Sequence, residues 1–87
     1  MASFKATITD PIGLHARPAS VLSKAASGFA SDIKIKSGGK EGNVKSIMNI
    51  MALAIKQGAE IEIIAEGADA DDAIAALESV MKKDKLI

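Results

Sequence analysis

The stretch Phe4-Lys5-Ala6-Thr7-Ile8-Thr9-Asp10-Pro11-Ile12-Gly13-Leu14-His15-Ala16-Arg17-Pro18-Ala19 changes period partway, and that change decides the fold. Phe4, Ala6 and Ile8 alternate with Lys5, Thr7 and Thr9, which is the period of two of a strand with one wet face. Asp10-Pro11-Ile12-Gly13 breaks the pattern. From Ala16 the spacing becomes helical, with Ala19, Leu22, Ala26 and Phe29 on one side and Gly28 as a stop after Ser27. His15, the single histidine of the chain, stands at the junction. A residue just before a helix sees free backbone N–H groups and the positive end of the helix dipole, so a phosphoryl group on its side chain would be held without a metal.

The remaining elements follow by the same reading. Asp32-Ile33-Lys34-Ile35-Lys36 alternates, Ser37-Gly38-Gly39-Lys40 turns the chain, and Glu41 to Val44 returns beside it as a hairpin. Ser46 is a good N-cap for an apolar stretch from Ile47 to Ile55, closed by Gln57-Gly58. Glu60-Ile61-Glu62-Ile63 alternates again, and Gly67 ends that strand. Asp69, Asp71 and Asp72 open a last helix with Ala73, Ile74, Leu77, Val80 and Met81 on its apolar face and Lys82 and Lys83 at its end, a charge order that suits the macrodipole.

The order β-α-β-β-α-β-α over 1–87 predicts one α+β domain: a four-stranded antiparallel sheet with three helices on one face, an open-faced sandwich. The other face stays wet, where Lys5, Lys34 and Lys36 can pair across strands with Glu60, Glu62 and Glu66. A chain of 87 residues buries only about 60 to 65% of its unfolded surface. With two aromatic residues, Phe4 and Phe29, aliphatic side chains and alanines must fill the core.

Composition also excludes functions. Eleven basic residues balance eleven acidic ones, so the field needed for nucleic-acid or anionic-membrane binding is missing, and so few aromatics offer no surface for stacking bases. Without cysteine there are no disulfides or thiolate ligands, and one histidine with scattered carboxylates makes a poor metal site, so neither metal nor other cofactor is expected. No apolar run approaches membrane-spanning length and no secretory signal pattern opens the chain, which together predict a cytoplasmic protein.

Gly13-Leu14-His15-Ala16-Arg17-Pro18-Ala19, followed by Asn43-Val44-Lys45-Ser46-Ile47-Met48 and by Gly58-Ala59-Glu60-Ile61, closely resembles the histidine-containing phosphocarrier (HPr) family of the bacterial sugar phosphotransferase system. The likeness runs over essentially the whole chain, and the family fold is the open-faced sandwich. The resemblance implies that His15 carries phosphate on Nδ1, taken from enzyme I and passed to the IIA unit of a sugar permease. Neutral imidazole is a competent nucleophile near pH 7. With His15 as N-cap, the N–H groups of Ala16 and Arg17 face the added phosphate, Pro18 in the first turn loses no helical hydrogen bond, and Arg17 contributes a fixed charge and forked donor. Ser20 and Lys24 continue the Arg17 face at i+3 and i+7 as a polar, basic stripe suited to an acidic partner.

Lys45-Ser46-Ile47-Met48 resembles the segment modified by HPr kinase/phosphorylase, which implies regulatory phosphorylation of Ser46. Ile50, Leu53 and Ala54 can supply the buried face of that helix, leaving Ile47, Met48 and Met51 toward solvent. The family uses this surface for enzyme I and IIA, and phosphorylated forms there bind a catabolite control repressor. The chain departs from many relatives at Pro11-Ile12, where they have a serine or threonine, so no hydroxyl contact to the ring is possible at Ile12. Competing readings are a regulatory or nitrogen-branch paralogue and a small-molecule-sensing domain that binds without covalent transfer. The chain has no nucleotide-binding loop, so it is a carrier with a covalent intermediate rather than a stand-alone catalyst, and a monomer whose complexes must be brief.

Overall fold

The computed structural model describes residues 1–87 as an open sheet with three helices. The elements are β1 (Ala2–Thr7), α1 (Ala16–Ala26), β2 (Asp32–Ser37), β3 (Lys40–Asn43), α2 (Ile47–Ala52), β4 (Glu60–Glu66) and α3 (Ala70–Lys83). The strands lie in the order β1-β4-β2-β3 and every neighbouring pair is antiparallel. Element order, sheet and helix count agree with the sequence reading.

Alternation in the strands becomes the two faces of the sheet. Phe4, Ile63 and Ile35 lie opposite one another in register, and Ile33, Ile61 and Ala65 join them on the face toward the helices. Leu22 and Ala19 of α1, Ile50 of α2 and Ala73, Leu77 and Met81 of α3 complete one core. On the wet face, Lys5, Glu62, Lys36 and Glu41 line up across all four strands with alternating sign. The pairs that close are Lys34–Glu41 at 3.7 Å and Lys36–Glu41 at 3.9 Å, so β3 supplies the acid in place of Glu60, Glu62 and Glu66. Such half-exposed pairs are worth about 0.2–1 kcal/mol each.

Several boundaries differ from the sequence reading. β1 runs Ala2–Thr7 instead of Phe4 to Thr9, because Ile8 and Thr9 leave the ladder: the Ile8 N–H donates to Ala59 O (2.9 Å) and the Thr9 N–H to Leu86 O (2.8 Å). β3 occupies Lys40–Asn43, and the two glycines of its turn, Gly38 (φ 58°) and Gly39 (φ 81°), take the left-handed conformations of a tight two-residue hairpin. The largest difference is α2. It stops at Ala52, not Ile55, because Ala54 adopts φ 51° and turns the chain out of the helix. Ala54 is therefore exposed rather than part of the buried face, Leu53 is half-buried, and Ile55 enters the core from the following loop.

Two side-chain links close the helical layer. Ser23, buried in α1, donates to the carbonyl of Lys45 (2.8 Å), and the Lys45 ammonium donates back to the carbonyl of Phe29 just past α1 (2.8 Å). At the other end Asp69, the residue before α3, makes no cap to its own helix. Its carboxylate accepts the N–H groups of Ala30 (2.8 Å) and Ser31 (2.9 Å) and the Ser31 hydroxyl, tying α3 to the approach to β2. Gly67 makes that approach possible, since a Cβ there would lie 2.8 Å from Ser31 Cα. The Ser31 hydroxyl above all, then the Ala30 N–H, hold the Asp69 carboxyl below its ordinary range.

These features generate two predictions. An L-residue in the left-handed region costs roughly 1–2 kcal/mol, only partly offset by glycine's greater unfolded-state entropy. Ala54→Gly should therefore raise stability by about 0.5–1 kcal/mol, read as a higher urea midpoint. The Asp69 carboxylate stabilises the fold above the unfolded carboxyl pKa of about 4, and that contribution disappears as pH falls through the lower folded value. Urea midpoints measured from pH 5 downward should fall across this window, and Asp69→Asn should flatten the fall while lowering stability at neutral pH.

Candidate functional site

The junction between β1 and α1 is held by backbone, and this fixes where His15 stands. Gly13 has φ 84° and is buried against the loop after α2, so close that a Cβ would lie 2.7 Å from Lys56 Cα and overlap the Ile55 carbonyl oxygen. The next residue, Leu14, donates its N–H to that carbonyl (3.0 Å) and buries its side chain. Gly58 N–H bonds Ile8 O (2.8 Å), and the Gln57 side chain reaches Thr9 O (3.3 Å). No rotation of the loop can occur without breaking this seam.

His15 is the N-cap of α1, with φ −87° and ψ −170°. Its N–H bonds Gly13 O (3.1 Å) and its carbonyl accepts the N–H of Ala19 (3.0 Å), which closes the first turn. Its side chain makes no hydrogen bond and is half-buried. The N–H groups of Ala16 and Arg17 find no acceptor in the protein, and Pro18 has none to offer. Two amide donors thus stand open at the positive end of an 11-residue helix, next to a free imidazole. Arg17 is exposed and forms no ion pair within 4 Å. His15 and Arg17 line one cleft of about 490 Å³ together with Asp10, Ile12, Pro18, Val21, Asp84 and Leu86. The arrangement offers a nucleophilic ring nitrogen, an oxyanion-binding pair of amides and an unpaired guanidinium, which is the equipment for taking and releasing a phosphoryl group.

Sequence reasoning placed His15, Ala16 and Arg17 here and missed Asp84 and Leu86. The chain returns its C-terminal end to the cleft through the Thr9–Leu86 hydrogen bond and the Leu86–Met81 bond (2.8 Å), contacts that no local pattern announces.

The other expected residues sit on the surface of α1 and α2. Ser20 and Lys24 are exposed on α1. Ser46 is the N-cap of α2: its hydroxyl oxygen accepts the Asn49 N–H (3.3 Å) and Asn49 Nδ2 (3.1 Å). On α2, Met48 is 81% exposed, Met51 45% and Ile47 39%, whereas Ile50 is fully buried. The three exposed side chains therefore form an apolar patch that the core does not use, as the sequence suggested. No group of three or more His, Asp or Glu side chains is gathered in a way that could hold a metal ion.

Comparison with known proteins gives the same answer from another direction. A family profile described as the PTS HPr component phosphorylation site matches residues 2–83. The phosphocarrier protein HPr of Mycoplasma capricolum is 60% identical over 87 residues, covering 100% of this chain and 98% of the relative. A solved mycoplasma histidine-containing phosphocarrier protein superimposes with a TM-score of 0.98 at 59% identity, over 99% of this chain and 98% of that one. A crystallised HPr dimer from Thermoanaerobacter tengcongensis matches with a TM-score of 0.77 at 39% identity, over 97% of each chain.

The seam at Gly13 predicts its own fragility. Gly13→Ala should cost at least about 1–2 kcal/mol from the left-handed backbone alone, with more from the collision with Ile55 and Lys56. Urea denaturation would read the loss.

Proposed function

This chain belongs to the HPr family of phosphocarriers of the phosphotransferase system, and on that premise we propose that the phosphoryl group is carried on Nδ1 of His15. The lone pair of the neutral ring forms the new P–N bond as the bond between phosphorus and the enzyme I donor breaks. The reverse displacement delivers the group to a IIA unit. The observation that carries this reading is the pair of unpartnered N–H groups of Ala16 and Arg17 beside an imidazole with no hydrogen bond of its own. Those amides donate to the phosphoryl oxygens, and the Arg17 guanidinium follows the charge from donor to acceptor. Nothing has to reorganise, because the seam at Gly13 has already set the helix entrance.

The role implies docking with enzyme I and IIA. The Ile47, Met48 and Met51 patch supplies the apolar part of that surface, and methionine's flexible side chain suits partners of different shape. Ser20, Lys24 and Arg17 supply the polar, basic part. Ser46 is the regulatory position for an HPr kinase/phosphorylase: a phosphate there brings about 1.5–2 negative charges to the edge of the same patch, opposing the donor and favouring a catabolite control repressor. No helix is long and apolar enough to cross a membrane. Because the role is relay between enzyme I and IIA through brief complexes, we assign the carrier to the cytoplasm as a monomer.

Incubation with enzyme I, phosphoenolpyruvate and magnesium should add the mass of one phosphoryl group to the wild type and none to His15→Ala. Ser46→Asp should keep its melting temperature and accept phosphate at least about tenfold more slowly, the effect of a like-charge penalty near 1.4 kcal/mol. A phosphorylated His15→Ala protein, or a wild type that stays unmodified, would contradict the assignment.

A further inference from the structure

Half of the cleft that holds His15 and Arg17 has no part in phosphoryl chemistry. Ile12, Pro18, Val21 and Leu86 line it with apolar surface. Pro18 and Leu86 are buried beneath, Val21 is half-buried, and Ile12 stands 68% exposed. The chain does not let Ile12 turn inward. Its N–H donates to Asp10 Oδ1 (2.9 Å), the Gly13 N–H donates to Asp10 O (3.0 Å), Pro11 fixes its own φ, and Gly13 is seated on Ile55 and Lys56. A lone exposed isoleucine on a surface needs no explanation, but one pinned at the lip of the reactive cleft by a side-chain-capped turn is a preformed contact.

Resting on the phosphocarrier reading, we propose that this cleft receives an apolar side chain of enzyme I, with Ile12 as its principal contact. A donor that brings its phosphoryl group to bonding distance of His15 must cover the cleft, so the pocket is continuous with the transfer interface. Its volume of about 490 Å³ has room for a side chain, and the part lined by Ile12, Val21 and Leu86 gains most from an apolar one. The cleft thus makes a second anchor, distinct from the methionine patch on α2, and lies closer to the reacting atom.

The test measures binding of unphosphorylated protein to enzyme I by calorimetry, so that it does not depend on phosphoryl transfer. Ile12→Ala retains the Asp10 hydrogen bond and should keep its melting temperature while weakening binding about tenfold. Ile12→Val should stay within twofold of the wild type. Unchanged affinity in Ile12→Ala overturns the proposal, as does a tenfold loss in Asp84→Asn with none in Ile12→Ala, which would identify a cationic occupant. A wild type that binds enzyme I but never becomes phosphorylated would sink the carrier reading and leave the docking result standing.

Discussion

The close passage of Gly13 over the Ile55–Lys56 backbone is the constraint on which the functional end of this fold depends. Only a residue without a Cβ fits there, and only one at ease with φ 84° can aim Leu14 into the core and its N–H at the Ile55 carbonyl. That bond joins the exit of β1 to the loop after α2, two places 41 residues apart in sequence, and it sets the angle at which α1 begins. Ala54 is the counterpart. Its left-handed conformation ends α2 early so that Ile55 can present a carbonyl to Leu14 while burying its own side chain. A small protein here stores strain at one alanine and uses the resulting turn to hold a histidine.

Energetics and function divide the molecule between two faces. Helices cover one side of the sheet and bury nearly all the large aliphatic groups, so the core needs almost no aromatic residues. The start of α1 and the surface of α2 are left with open amides, a guanidinium without an ion pair and an apolar patch outside the core. None of these groups contributes to the core. Their removal takes little from the core, which suits a carrier whose complexes must be brief.

Much of this was legible in the chain. Strand and helix periods gave every element, since the half-covered sheet writes its two faces as alternation and each helix writes its buried stripe. Glycine pairs, proline at the first turn of α1 and serine before α2 marked the joins. What escaped was non-local or conformational. An alanine carries no signal for φ 51°, so α2 read three residues too long. Asp69 looked like an ordinary helix opener, yet its carboxylate serves Ala30 and Ser31, which lead into the neighbouring strand β2. Asp84 and Leu86 enter the His15 cleft only because α3 brings the chain's end back to it. His15 and Arg17 could be named in advance because their motif is contiguous and local geometry at a helix start is enough to place them.

On this reading the first amides of α1 hold the phosphoryl group carried by His15. Amide proton and nitrogen shifts, recorded before and after phosphorylation by enzyme I, test it directly. The account predicts that Ala16 and Arg17 move downfield more than any other backbone N–H, with Ala19, already bonded to His15, moving little. A phosphorylated protein in which the Ala16 and Arg17 amides keep their shifts would contradict it.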